Sequence, residues 1–503
     1  MNITVMNVLV VVAVIIVFAS VLPLLVAAAQ VLLSMVAYRK YLRKNKNVPE
    51  TLNVAVIIPA WNEAPVLTAS VERMLNLNYP PHQLRVYVVD DASTDNTGEV
   101  MTELVNRYGE RVVWLRRAKG GEGKAHTLNY GLERVWAEDW AQAVLITDAD
   151  VLFTPNSLLR MIRHFADPKV GAVTGYVKEG SVPGGYINKF VAYEYATAQA
   201  VARRAWNLLG AQMCLAGGAQ LLRMETFKKV GGRIDTTTLA EDTVTTFETQ
   251  LAGGTVVFEP AAHVWAEEPN SVRALWGQRL RWGRGNIQVT LKYKHVWWRW
   301  RKYPTIGSPL FAIAWFAVLT QPFLMFASTF ALLWLYSISS ETAFTSFRLL
   351  WVLSGLIYLL VIAGVAATDP TVLKRSWPHA FLYPGVVSAG LIWFSLFPHS
   401  TEAVFSFVTT HMGLTGAEQA QVHQLFALFL YSWLTLSVGV SYLAKTVEKI
   451  PHVGPFFGKV LLWIGGYGPL LCAVTTAAIV THVRGQKTVW VKTVKEGKVQ
   501  IGT

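Results

Sequence analysis

At 503 residues the chain is too long for one ordinary domain, and its 52% hydrophobic and 15% charged content sets it apart from soluble domains, where about a quarter of residues are charged. The net charge of +13 would suit a nucleic-acid binder, but the basic residues gather beside apolar runs, at Arg39, Lys40, Arg43, Lys44 and Lys46 and again from Arg273 to Lys302. That placement argues against nucleic acid as a partner and for a lipid bilayer whose cytoplasmic side lies next to those residues. Two distant cysteines, Cys214 and Cys472, give neither a disulfide framework nor a zinc spacing.

The first predicted element is the apolar run 7–38. It follows a start without Lys or Arg and is much longer than a signal-peptide core of roughly 7–15 residues, so a retained anchor is expected. It is also longer than the about 20 residues one crossing needs; a tilted helix and a tight pair both fit. Residues 39–300 then read as an α/β protein. The β-branched runs Val54–Trp61, Leu84–Asp91 and Ala143–Asp150 alternate with helical stretches 65–77 and 96–108, which predicts a parallel sheet with helices on both faces. Each run ends in polar or acidic residues, and in open α/β sheets the ligand sits outside the carboxyl ends of the strands. Further apolar stretches follow at 306–337, 347–368, 378–397, 423–445 and 457–482. Lys374, Arg375 and Lys449 in the intervening loops fit alternating crossings, whereas the basic tail with Arg484, Lys487, Lys492, Lys495 and Lys498 breaks the alternation. One apolar stretch is therefore expected to be re-entrant or interfacial.

Five features carry candidate chemistry. Asp90-Asp91 close the second strand; one acid there would serve as a helix cap, and a second can accept hydrogen bonds from a nucleotide. Asp148-Ala149-Asp150 offers two carboxylates suited to a hard divalent cation, which commonly takes one or two carboxylates plus substrate phosphates; a plain surface turn is the alternative. The loop Lys119–Lys124, with three glycines, permits close backbone approach but lacks the P-loop spacing. Glu241-Asp242 open a predicted helix, where acids also serve the helix dipole. In Gln278-Arg279-Leu280-Arg281-Trp282, Arg281 offers a planar donor fork for phosphate oxygens, although a basic amphipathic helix on the membrane would show similar residues.

The ordered set of Asp91, Asp148-Ala149-Asp150, Glu241-Asp242 and Gln278–Trp282 resembles the inverting family 2 glycosyltransferases, and within them the processive membrane synthases of cellulose, hyaluronan, chitin and poly-N-acetylglucosamine. The stretches Gly171–Gly180, Leu215–Met224 and Ala274–Asn286 look closest to the poly-N-acetylglucosamine synthases. The resemblance covers about residues 50–300 and implies an α/β, GT-A-like domain (49–272) between an N-terminal anchor (1–48) and an amphipathic segment (273–304) followed by a C-terminal transmembrane bundle (305–503). It further implies that Pro59, Glu63, Asp91, Lys124, Asp148, Gln278, Arg281 and Trp282 contact a UDP-sugar donor. Asp148 and Asp150 would hold Mg²⁺ or Mn²⁺, and Asp242, with Glu241 beside it, would be the catalytic base. The expected activity is polymerisation of a UDP-sugar, with UDP-N-acetylglucosamine favoured, onto a growing β-linked polysaccharide at the plasma membrane. Export through the bundle and an accessory export subunit are compatible with it. One departure is Ala240, where the family motif carries Thr; it puts the acceptor pocket, and hence the product, in question. Two other readings stay open: transfer of one sugar to a lipid or polyprenyl phosphate, and a non-enzymatic transporter with a cytoplasmic domain.

Overall fold

The computed structural model describes residues 3–43, 51–182, 184–486 and 499–500; Lys44, Lys46, Lys487, Lys492, Lys495 and Lys498 lie outside the described residues. Eight strands, β1 (Val54–Ala60), β2 (Leu84–Asp90), β3 (Val112–Arg116), β4 (Ala143–Ile146), β5 (Val151–Phe153), β6 (Val170–Glu179), β7 (Gln220–Arg223) and β8 (Thr255–Ala266), form one sheet in the order β3-β2-β1-β4-β7-β6-β8-β5. All of β4 and all but one residue each of β1 and β2 are buried. Burial on both faces explains their near-continuous apolar runs. Helix Ala64–Leu75 packs Val66, Leu67, Val71 and Met74 against the sheet at helical spacing.

The first four strands in spatial order are parallel, as expected. The rest of the sheet is mixed, because β7 runs antiparallel to both β4 and β6, and β5 antiparallel to β8. The cause lies in the preceding loop. It carries Gly217 and Gly218 to the carboxyl end of β4, so that Gln220 pairs with Ile146, and a strand starting there can only run back.

The apolar run at the N-terminus resolves into two helices, Ile3–Ala19 and Leu22–Arg43, that meet at Ser20-Val21. Four described helical stretches are long and apolar enough to cross a membrane: Leu22–Tyr41, Pro309–Ile338, Ser340–Thr368 and Gly416–Val447. Where charge led to one re-entrant or interfacial stretch, there are two bent pairs, Pro370–Phe381 with Val386–Leu396 at 79° and Gly454–Gly465 with Tyr467–Val483 at 100°. The breaks touch each other. Gly385 (φ 93°) and Gly466 (φ 97°) face one another so closely that a Cβ on Gly466 would stand 2.4 Å from the Pro384 carbonyl. Both requirements, positive φ and backbone contact, select glycine.

Sheet and bundle are joined by buried charge. Glu194 receives Arg279 at 2.7 Å and the Tyr467 hydroxyl at 2.6 Å. Glu259, fully buried, is met by Arg163, by His164 at 2.7 Å and by the Tyr41 hydroxyl at 2.9 Å.

Candidate active site

The acidic residues singled out in the sequence gather at the carboxyl ends of β1, β2 and β4. Lys124 opens the helix Lys124–Glu138, and its ammonium lies 2.5 Å from Asp148 Oδ1, 3.3 Å from the Gly217 carbonyl and 3.7 Å from Glu241. Burial draws its pKa down, but Asp148, Glu241 and Asp242 outweigh that and hold it well above the usual lysine value. Lys124 therefore stays charged as the electrostatic hub of the acids. Burial, with Asp242 adding to it, raises the Glu241 carboxyl, while Lys124 and Arg281 oppose the shift. Asp242 Oδ1 accepts the Thr243 amide at 2.7 Å.

Gly217 and Gly218 form the floor between these groups. A Cβ on Gly217 would stand 3.2 Å from Asp242 Oδ2 and 3.5 Å from Lys124 Nζ, and one on Gly218 would stand 3.3 Å from Asp148 Oδ2. The missing side chains leave room for the two carboxylates to face one space. Cys214 lies against the same wall. Its sulfur receives the Thr243 hydroxyl at 3.2 Å, and burial followed by Asp242 pushes its thiol pKa up, so it stays neutral.

A second cluster adjoins the first through β1 and β2. Pro59 in β1 is paired in register with Val89, and the loops after the two strands are stitched together: the Glu63 amide donates to Thr97 Oγ1 at 3.1 Å and the Thr94 amide to Asn62 Oδ1 at 2.8 Å. Asp91 is held by Arg117 and by the Gly121 amide at 3.0 Å. The glycine loop thus wraps the carboxylate of Asp91. Asp90 is buried and accepts the Ser93 amide at 2.8 Å.

Helix Val272–Lys292 carries the Gln-Arg-x-Arg-Trp sequence. The charge of Arg281, on this helix, opposes the rise of the Glu241 carboxyl. Gln278 donates to Glu268 at 3.1 Å, and Trp282 stacks 4.0 Å beneath the Arg279 guanidinium. Sequence reasoning gave no role in the site to Arg279, Glu194, Glu268, Gly217, Gly218 and Cys214. A signal existed for Arg279: it stands three residues before Trp282, and residues three apart share a helix face. The helix approaches the acid loop closely. A Cβ on Gly285 would lie 2.8 Å from that of Ala240 and 3.1 Å from its amide nitrogen. Gly285→Ala is therefore expected to push the helix off Glu241-Asp242 and lower sugar transfer by on the order of 10²-fold, read as initial rate alongside an unchanged oligomeric profile.

Asp148 and Asp150 supply hard oxygen donors, and among the described residues no group of three or more His, Cys, Asp or Glu side chains gathers to cage a metal. One or two carboxylates of this kind are the donor type that Mg²⁺ or Mn²⁺ shares with a diphosphate, and Asp148 already holds the Lys124 ammonium at 2.5 Å.

A model of the glycosyltransferase-like family 2 matches residues 49–285. The probable glycosyltransferase YdaM of Bacillus subtilis (strain 168) is 27% identical over 352 residues, 67% of this chain and 81% of that protein. The poly-β-1,6-N-acetyl-D-glucosamine synthase of Staphylococcus epidermidis is 28% identical over 240 residues, which is 48% of this chain and 56% of the synthase. That of Staphylococcus aureus (strain COL) is 26% identical over 291 residues, 58% of this chain and 64% of the synthase. The match thus spans less than two thirds of these synthases. Among solved structures, the mannosyltransferase PcManGT from Pyrobaculum calidifontis, in complex with GDP-Man and Mn²⁺, aligns with a TM-score of 0.50 at 22% identity, covering 76% of this chain and 99% of that one. This likeness bears on the fold, a GT-A-like sheet.

Proposed function

We propose, on the premise that residues 49–285 belong to glycosyltransferase family 2, that the chain is a processive, inverting synthase that polymerises UDP-N-acetylglucosamine into a β-linked polysaccharide at a membrane. The observation that carries this reading is the convergence of Lys124, Asp148, Glu241 and Asp242 around Gly217-Gly218, under a helix bearing Arg281 and beside helices able to cross a bilayer. The relatives named as poly-β-1,6-N-acetyl-D-glucosamine synthases favour that sugar.

In this reading Pro59, Glu63 and Asp91 line the uridine side, and Lys124, Gln278, Arg281 and Trp282 hold the diphosphate. Asp148 and Asp150 would hold Mg²⁺ or Mn²⁺, which would supply positive charge for a leaving diphosphate. Asp242 accepts the proton of an acceptor hydroxyl as its oxygen bonds the anomeric carbon and the bond from that carbon to the diphosphate breaks. Glu241 beside it faces the Lys124 ammonium at 3.7 Å and helps hold it against the donor. A single displacement inverts the anomeric centre. The division of labour is an N-terminal anchor (1–48), a cytoplasmic catalytic domain (49–272), an interfacial segment (273–304) and a bundle (305–503) that serves the growing chain, with room for an accessory export subunit. The fit to Mg²⁺ predicts that EDTA abolishes transfer and that added Mg²⁺ or Mn²⁺ restores it.

Incorporation of radiolabel from several UDP-sugars by the full chain in membranes tests the proposal. High-molecular-weight product from UDP-N-acetylglucosamine is the expected result. Label confined to a small lipid-extractable product would overturn processivity, and product from a different sugar donor would overturn the sugar assignment.

A further inference from the structure

Arg203 ends the stretch Ala196–Arg203, eight residues wound as a π-helix, a rare form that gathers at functional sites. Ala196 and Val201 of this stretch cluster with Val31 and Val365, which belong to two helices able to cross a membrane. The Arg203 guanidinium turns the other way, to Thr174 of β6 at 3.5 Å, and the same hydroxyl oxygen accepts the Ala216 amide at 2.9 Å. Ala216 immediately precedes Gly217-Gly218, the floor between the acids. Arg203 therefore stands where that floor meets the membrane helices.

The guanidinium is poorly satisfied there. It carries five N–H donors, yet among the described residues it forms no ion pair, and its hydrogen bonds run from Nη1 alone, to Gln199 Oε1 at 3.3 Å and Thr174 Oγ1 at 3.5 Å. Both oxygens are neutral and already take shorter bonds, from the Val177 amide at 3.0 Å and the Ala216 amide at 2.9 Å. Burial draws the Arg203 pKa down, and Cys214, then Asp242 and Tyr195, oppose the shift; the residue nonetheless keeps accessible surface. A group walled in by protein and still reached by water lines a cleft. Lys124, Glu241 and Cys214 show the same combination. A charge withdrawn from bulk water without a counter-charge is costly, and oxygens of a ligand in the cleft would offset that cost.

We propose that Arg203 binds the acceptor, its planar fork of donors holding oxygens of the sugar chain whose terminal hydroxyl faces Asp242. The inference rests on the synthase reading and deepens it, since it gives the acceptor a protein partner on the membrane side of the base. A guanidinium donates to hydroxyl or acetamido oxygens alike, so a neutral polymer satisfies it. Bond making stays with Asp242. Arg203 holds the chain between additions and so sets how many sugars join before the chain leaves.

The test uses the full chain in membranes, with UDP-N-acetylglucosamine as donor and a short β-linked N-acetylglucosamine oligosaccharide as added acceptor. Arg203→Gln is expected to raise the acceptor KM by about 10- to 100-fold, the effect of losing hydrogen bonds from a charged donor, at unchanged donor KM. Its product should be shorter than that of wild type, and more UDP should be released per sugar incorporated. Arg203→Lys keeps the charge without the planar fork and should fall between the two. Equal acceptor KM and equal product length in wild type and Arg203→Gln would overturn the proposal. So would a joint rise of donor and acceptor KM, which marks a distorted site. Where Arg203→Gln fails to fold, Arg203→Lys decides, and a wild-type acceptor KM in that variant would overturn the proposal. Failure of the synthase reading has its own signature: wild type then makes no polymer from this donor, and the inference falls with it.

Discussion

Asp242→Asn is expected to lower the rate of sugar transfer by about 10²–10⁴-fold, the usual contribution of a general base, while the protein keeps its fold and its donor affinity. The amide cannot take the acceptor proton, yet it has the same shape and retains an oxygen for the Thr243 amide that Asp242 now binds at 2.7 Å. The comparison with Glu241→Gln makes the result specific. Glu241 is the acid on the Lys124 side, 3.7 Å from that ammonium, so its loss should act on donor placement and raise KM as well as lower kcat. A variant Asp242→Asn with near wild-type turnover would remove Asp242 from the chemistry and leave Glu241 as the candidate base.

Glu259→Ala is expected to destabilise the protein by about 3–5 kcal/mol, the range for removing one partner from a buried ion pair, measured as a loss of melting temperature and of detergent-stable protein. The carboxylate is fully buried and is the shared acceptor for Arg163, His164, Tyr41 and the Ala261 amide. Tyr41 belongs to the second N-terminal helix, so the substitution should also loosen that helix from the sheet. The pH dependence has a definite sign. Burial alone would raise the carboxyl, but the His164 and Arg163 contacts outweigh it and hold Glu259 down at about 2. A depressed carboxyl stabilises the fold above its unfolded value of about 4.3, and this contribution is lost as the pH falls toward 2. Wild type should therefore lose stability across that window, and the variant should show a flatter profile there.

The parts of the molecule that were legible in the sequence are those in which one local pattern does the work. β1, β2 and β4 are buried on both faces and read as apolar runs, and their acidic ends pointed to the site because strand ends and ligand sites coincide in such sheets. β7 was less visible, since four residues pairing on both edges carry no periodicity of their own. Its direction depends on where Gly217-Gly218 must lie, which only the folded site determines. The helix bearing Gln278 and Arg281 was found, yet its most buried charge, Arg279, was named in the motif without a role of its own. Its partner Glu194 lies 85 residues away, and Tyr41 lies 218 residues from Glu259. Pairings at such separations leave no local trace. The bent pairs were foreshadowed only by a charge bias that failed to alternate, which signals a crossing too many without saying where the chain turns back.

The contact between Gly385 and Gly466 bears on how the protein is made. Gly466 is followed at once by Tyr467, whose hydroxyl completes the Glu194 and Arg279 cluster from 273 residues away. During synthesis Glu194 and Arg279 emerge long before that hydroxyl exists, and their cluster is complete only once Tyr467 arrives. The two turns interlock, so that the helix Tyr467–Val483 seats against the earlier break and its seating places Tyr467. Ribosomal products that stop short of Tyr467 carry Asp148, Glu241 and Asp242 without the hydroxyl that completes the Glu194 and Arg279 cluster, and they are expected to be silent in sugar transfer.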